Sequence, residues 1–249
     1  RLIIQAGGDP EKMILFDSKG ALSKDRDDIK ADKRFYRKWE LCEKTNPDRI
    51  NDIEKAMKGA DVLIALSKPG PDVVKPEWIR SMGDKPIVFA CANPVPEIYP
   101  YAAKEAGAYL TATGRGDFPN QVNNSLGFPG ILKGALLVRS RSVTDNMAVA
   151  ASYSMANYAE KKGINPDYIM PKMDETDMFA FEAADVAMQA VKDGVARVES
   201  DWDTIYNRTL EDIGQTRQTI DMMMDKNLIK KPDTSLLEQA LNKAIEQVK

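Results

Sequence analysis

Apolar and polar positions along the chain fall into two regimes. Up to about residue 113, short apolar runs alternate with amphipathic stretches, and beyond residue 130 helical periods dominate. In "KMILFDSKG" an apolar run at residues 13–16 stops at Asp17 and Gly20, which predicts a buried strand. In "NPDRINDIEKAMKGADVLIALSKPG", Asn46 reads as a helix cap, Pro47 suits the first turn and Asp48 complements the dipole. Ile50, Ile53 and Met57 mark the buried face of that helix, and Gly59 ends it. Residues 62–66 then form a strand that stops at Pro69-Gly70. "KPEWIRSMG" predicts a short helix from Pro76, "PIVFACANP" a strand, "PYAAKEAGA" a helix and "AYLTAT" a fourth strand. Alternation at these spacings predicts a parallel sheet with crossover helices. Strands that are apolar throughout predict a sheet covered on both faces.

The second regime predicts helices over "AVAASYSMANYAEKKG", ending at Gly163, and "MFAFEAADVAMQAVKDG", ending at Gly194. The polar run from Glu199 to Lys226 carries a weaker helical signal. The last helix, "TSLLEQALNKAIEQV", is expected to open with a capping box of Ser235 and Glu238. Its stripe of Leu237, Leu241, Ile245 and Val248 is expected to pack on its own domain. The chain opens on "RLIIQAGG", which reads as the last turns of a helix ending at Gly7-Gly8. A start inside a helix predicts an upstream segment. The domain expectation is a truncated dinucleotide-binding domain at 1–200 and a helical extension at 201–249.

Composition narrows the function classes. The chain has 249 residues, of which 43% are apolar and 29% charged, enough for a core without disulfide or metal staples. A net charge of −3 disfavours general nucleic-acid binding. No apolar run reaches the length of a membrane span. Cys42 and Cys91 are isolated, which fits a reducing compartment and a cytoplasmic protein. The absence of histidine removes histidine-based acid–base chemistry from these residues.

Candidate chemistry lies at the strand ends. Open parallel sheets bind ligands beyond the carboxyl ends of their strands. Here those ends carry Asp17, then Ser67 with Pro69 and Gly70, then Asn93, then "TGRGDFPNQVNNSLGFPG". Asp17 could accept hydrogen bonds from an adenine ribose, or simply close a turn. Ser67 and Gly70 sit where the chain reverses, and glycine permits close backbone approach. The Asn93 amide offers donors and an acceptor, with helix capping as its plain alternative. Gly114, Gly116, Pro119, Gly127, Pro129 and Gly130 predict that residues 113–130 lack regular structure through most of their length. Arg115 and Asp117 are read as an ion pair within that loop.

"FACANPVPEIYPYAAKEAGA" followed by "TGRGDFPNQVNNSLGFPGILKGALLVRS" resembles the nucleotide-binding half of malic enzymes, the small bacterial and archaeal type above all. "ILFDSKG", "ALSKPG" and "SVTDNMAVAASYSMANYA" stand in the family's order. The resemblance runs from about residue 14 to 197, and departs from the expected pattern at Gly116 and Ser125. It implies a Rossmann-like α/β domain whose first strand and Gly-rich loop lie upstream. It also implies oxidative decarboxylation of malate to pyruvate and carbon dioxide in the complete protein. The implied cofactors are NAD, with NADP possible, and Mg or Mn. The family's lysine, tyrosine and metal carboxylates fall upstream, so 1–249 alone is expected to be inactive. Carried over residue by residue, Asp17 matches the adenine-ribose acid and Asn93 the asparagine facing nicotinamide and malate. Asn123 matches an asparagine nearer the nicotinamide, and Asn124 one nearer the malate carboxylate. The charge of Asp17 disfavours a 2′-phosphate, which Lys19 could offset. Expected partners are malate or pyruvate, the upstream segment and a second copy in a dimer, with neither nucleic acid nor membrane. The alternatives are a malolactic enzyme, which yields lactate, and a non-catalytic nucleotide-binding or assembly module.

Overall fold

The computed structural model describes residues 1–230 and 233–248, with side chains through 246. The chain divides into two compact units, Arg1–Tyr206 and Asn207–Lys249. The first opens with α1 (Leu2–Gln5), a hairpin of β1 (Phe16–Asp17) and β2 (Gly20–Ala21), and α2 (Asp27–Ala31). It continues through α3 (Tyr36–Lys44), α4 (Ile53–Met57), β3 (Val62–Ala65), α5 (Pro76–Arg80), β4 (Ile87–Ala90), α6 (Pro100–Glu105) and β5 (Leu110–Thr113). Three longer helices follow: α7 (Asn124–Leu137), α8 (Asp145–Lys162) and α9 (Asp177–Lys192). Helix α10 (Trp202–Asp225) runs from the first unit into the second, which also holds α11 (Thr234–Val248).

β3, β4 and β5 form the parallel sheet in that order, with Val62, Ile87 and Leu110 in register. Parallel neighbours need crossovers, and α5 and α6 supply them. Leu63 and Ala65 join Val88 and Ala90 in a core with Met57, Ile79, Met82, Ile98 and Ala103. Ile79, Val88 and Ile98 are at most 1% exposed, each contributing about 2 kcal/mol by burial.

Four expectations need correction here. Residues 13–16 do not join the parallel sheet; the local strand is β1, paired antiparallel with β2 in a separate two-stranded hairpin. The sheet is not covered on both faces throughout, because β3 leaves Val62 and Ile64 exposed. The helix expected from Asn46 starts later. Asn46 adopts φ 51° and bonds the backbone of Leu22 and Ile50, making a loop, while the Asp52 carboxylate accepts from Glu54 and Lys55 N–H and caps α4. The Ser235–Glu238 capping box gives way to Asp233, which accepts from the Ser235 N–H and hydroxyl.

The fifth correction concerns the 113–130 stretch. Its second half is helical: α7 runs through Gly127, Pro129 and Gly130. Proximity to α9 explains the small residues. A Cβ on Gly130 would lie 2.1 Å from Glu182 Oε2, and one on Gly134 would lie 2.4 Å from the Ala183 carbonyl oxygen. α9 answers with Ala183, Ala184, Ala187 and Ala190, all fully buried in a second core with Val138, Met147 and Val186. In the second unit, Leu236, Leu237, Leu241 and Ile245 are exposed, so the stripe on α11 does not pack on its own domain as expected. The side chain of Val248 lies outside the described residues.

Candidate functional site

The carboxyl ends of β3, β4 and β5 open onto three consecutive loops. Ser67 follows β3, Asn93 follows β4, and Gly114 follows β5. These loops are tied together by polar contacts. The Glu97 carboxylate accepts from the Ser67 N–H at 2.7 Å, the Ser67 hydroxyl at 3.0 Å and the Ala92 N–H at 2.9 Å. Asn93 is exposed and lies against Gly114, where a Cβ would come within 2.7 Å of Asn93 Nδ2. Gly114 is therefore required for this approach. Its carbonyl accepts from Asn123 Nδ2 at 2.8 Å. Asn93 caps no helix; the next one, α6, starts at Pro100.

Asn123 is the N-cap of α7, its Oδ1 accepting from the Ser125 N–H. Asn124 is the first helical residue and is exposed. The first-turn Ser125 and Leu126 N–H groups of α7 are taken by Asn123, and the dipole of the helix at this end favours an anionic group such as a carboxylate. Asn120 has a different task. Buried with φ 57°, it donates to the Thr111 and Pro166 carbonyls and accepts from the Ile169 N–H, which anchors the loop to β5 and residues 166–169. Arg115 pairs with Asp117 as expected, and additionally donates to the Pro94 carbonyl and stacks over Phe118.

Asp17 sits apart, in the β1–β2 hairpin. Its Oδ1 accepts from the Lys19 N–H, the turn reading, and from Arg26 Nη1; its Oδ2 accepts from Arg26 Nη2 and from Lys38 Nζ. Arg26 holds this carboxyl well below the usual carboxylate range, against the opposing effect of burial, with Lys38 and the Lys19 N–H adding to it. Arg26 also forks onto Asp28, which Lys19 contacts in turn. The offset to the charge of Asp17 thus comes from Arg26 and Lys38 directly, and from Lys19 only through its backbone and Asp28. Sequence reading missed Arg26, Lys38 and Glu97. The first two lie 9 and 21 residues from Asp17, at no helical or strand period. Glu97 was visible in "NPVPE", where a glutamate beside an apolar strand end hints at a buried acceptor.

Among the described residues no cluster of three His, Cys, Asp or Glu side chains is arranged to hold a metal ion. No described helix is long and apolar enough to cross a membrane. The strand-end loops do fit a dinucleotide: amides for a carboxamide, a glycine that lets backbone approach, and a helix N-terminus.

Residues 8–192 match the family described as "Malic enzyme, NAD binding domain". The chain is 38% identical over 198 residues to the bifunctional malic/malolactic enzyme of Bacillus subtilis, covering 79% of this chain and 47% of that protein. It is 35% identical to the NADP-dependent malic enzyme of Halomonas elongata, covering 79% of this chain and 48% of that protein. A crystal structure of the malic enzyme of Entamoeba histolytica superposes with a TM-score of 0.94 at 61% identity, over 100% of this chain and 51% of that one. The chain spans about half the length of these relatives. It belongs to the malic enzyme family, as the NAD-binding domain.

Proposed function

We propose, from that membership, that the complete protein converts malate to pyruvate and carbon dioxide with a nicotinamide dinucleotide and a divalent metal. The observation that carries the reading is the linked edge of Asn93, Gly114, Asn123 and Asn124 at the ends of β4 and β5. Bound there, the dinucleotide would supply the hydride acceptor. Asn93, Ser67, Gly70 and Asn123 would line it, with Asn123 held by its own cap and by Gly114. Asn93 and Asn124 would orient the substrate carboxylate through neutral amides and the N-terminus of α7. The described residues do not fit the metal, so its ligands and the proton-transfer groups are assigned outside 1–249.

Asp17 sharpens the choice of dinucleotide. A carboxylate offers about four acceptor positions, and four donors already occupy them. Lys19, Arg26 and Lys38 outnumber Asp17 and Asp28, so the cluster is net positive. Such a cluster offsets the repulsion Asp17 alone would exert on a 2′-phosphate, which leaves NADP open to the complete protein beside NAD. The relatives named above include one described as NADP-dependent.

The test is malate-dependent reduction of NAD and NADP by the complete protein, with product analysis. Pyruvate with stoichiometric reduced dinucleotide supports the reading. Lactate as the main product favours the malolactic alternative, which the Bacillus subtilis relative keeps in view. Dinucleotide binding with no turnover of malate would point to a binding module instead.

A further inference from the structure

Glu97 is fully buried between β4 and α6, and no cation accompanies it among its hydrogen-bond partners. Its carboxylate accepts three hydrogen bonds, and its main-chain carbonyl accepts a fourth, from the Val74 N–H at 3.0 Å. One residue therefore grips both ends of the 67–74 loop and the residue immediately before Asn93. The loop turns at Gly70, with φ 146°. A buried carboxylate is a costly way to obtain stability alone, since an apolar side chain of similar volume does as well or better. What it does supply is a fixed acceptor for donors just beyond the ends of two strands. From it a continuous chain of contacts runs through Ser67, Ala92, Asn93, Gly114 and Asn123.

We propose that Glu97 is the positioning residue of this edge, holding the 67–74 loop and Asn93 in the one relative placement that admits the dinucleotide. The inference rests on the dinucleotide reading above. Glu97 touches neither cofactor nor substrate; it acts through Ser67 and Asn93. Glu97→Gln is the sharpest variant. Its amide keeps one acceptor oxygen and turns a donor toward the other strand end, so one tie breaks while volume is kept.

The experiment uses the complete protein and the fluorescence of bound NADH and NADPH, read well below the melting temperature. Glu97→Gln should weaken both dinucleotides about tenfold, the scale of one lost charge-assisted hydrogen bond. Hydrogen exchange should rise at residues 67–74 and 92–93 and stay unchanged in α8 and α9. In turnover, KM for dinucleotide should rise by more than kcat falls. Ser67→Ala, which removes the hydroxyl and keeps the N–H, should weaken binding about threefold with little change in melting. Affinities within twofold of wild type in a folded Glu97→Gln protein would overturn the proposal, even if its melting temperature falls. Should that variant fail to fold, Ser67→Ala decides by the same twofold criterion. A wild-type protein that binds neither dinucleotide would refute the functional reading and this inference together. Normal wild-type binding with unaffected variants would refute this inference alone.

Discussion

Among the described residues two glutamates are fully buried, one in the sheet half and one in the helical half, and they behave oppositely. Glu97 has donors for both carboxylate oxygens. Glu182 on α9 has no hydrogen-bond partner for either, and burial pushes its pKa up to about 8 against a small opposing effect of the Gly130 backbone. The first ties together two strand-end loops, those after β3 and β4. The second fills space: its carboxyl lies where a Cβ of Gly130 would be. Burial alone therefore says little about what an acid does, and the partners decide. The sheet half is specified by polar ties, whereas the helical half is specified by volume, with glycine and alanine on α7 and α9 setting their approach.

The volume argument is most easily broken at Gly134. Gly134→Ala places a methyl against the backbone of Ala183, which cannot rotate away, and should cost about 3 kcal/mol in urea unfolding. A cost below about 1 kcal/mol would mean that α7 and α9 slide apart freely. Glu182 tests the polar side of the contrast through pH. Its folded-state pKa of about 8 stands above the model-peptide value of 4.5, so the folded chain keeps a proton that the unfolded chain releases. Native stability therefore falls as pH rises from 4.5 to 8, and the loss is complete above that window. Glu182→Gln should match wild type in acid and exceed it by a margin that grows as pH rises from 4.5 to 8, measured by thermal melts across pH. A difference independent of pH would show that Glu182 finds a partner.

A smaller effect is expected at the hairpin. Lys38→Gln should weaken NADP about fivefold and leave NAD within about twofold, by titration at low and moderate salt. Equal losses for both would make Lys38 a brace for Asp17 rather than a phosphate contact. The smallest effect belongs to α11: Leu237→Ser and Leu241→Ser should change stability by no more than about 0.5 kcal/mol, because both side chains are exposed. A large loss in either would restore the packing expected from the stripe.

Much of the sheet half was legible because its signals are local. Apolar runs at 62–66, in "PIVFACANP" and in "AYLTAT" became β3, β4 and β5, and Pro76 and Pro100 opened α5 and α6. Gly163 and Gly194, with φ 94° and 69°, closed their helices as read. What escaped was set by distant contacts. Nothing near Gly127, Pro129 and Gly130 says that α9 lies against them, so residues typical of turns were read as a loop. Asn46 carries every local mark of a cap, yet its amide is claimed by Ile50 and Leu22. At the candidate site, Asn93 was singled out by its place after a strand, and Asn123 and Asn124 by the family resemblance. What Glu97 and Gly114 do for them, tying Ser67 to Ala92 and letting Asn93 approach, shows only once the strand ends are side by side.

The grip of Glu97 on Ser67 and Val74 has a consequence for how this site can vary. When one buried residue pins both ends of a loop, the length between the pins is uncoupled from their position. Lengthening residues 68–73 adds closure entropy only logarithmically, about 0.6 kcal/mol for each doubling. Residues 71–73, beyond the Gly70 turn, are thus free to diversify in length and charge across a lineage, while Gly70 and the strand ends beneath stay where they are.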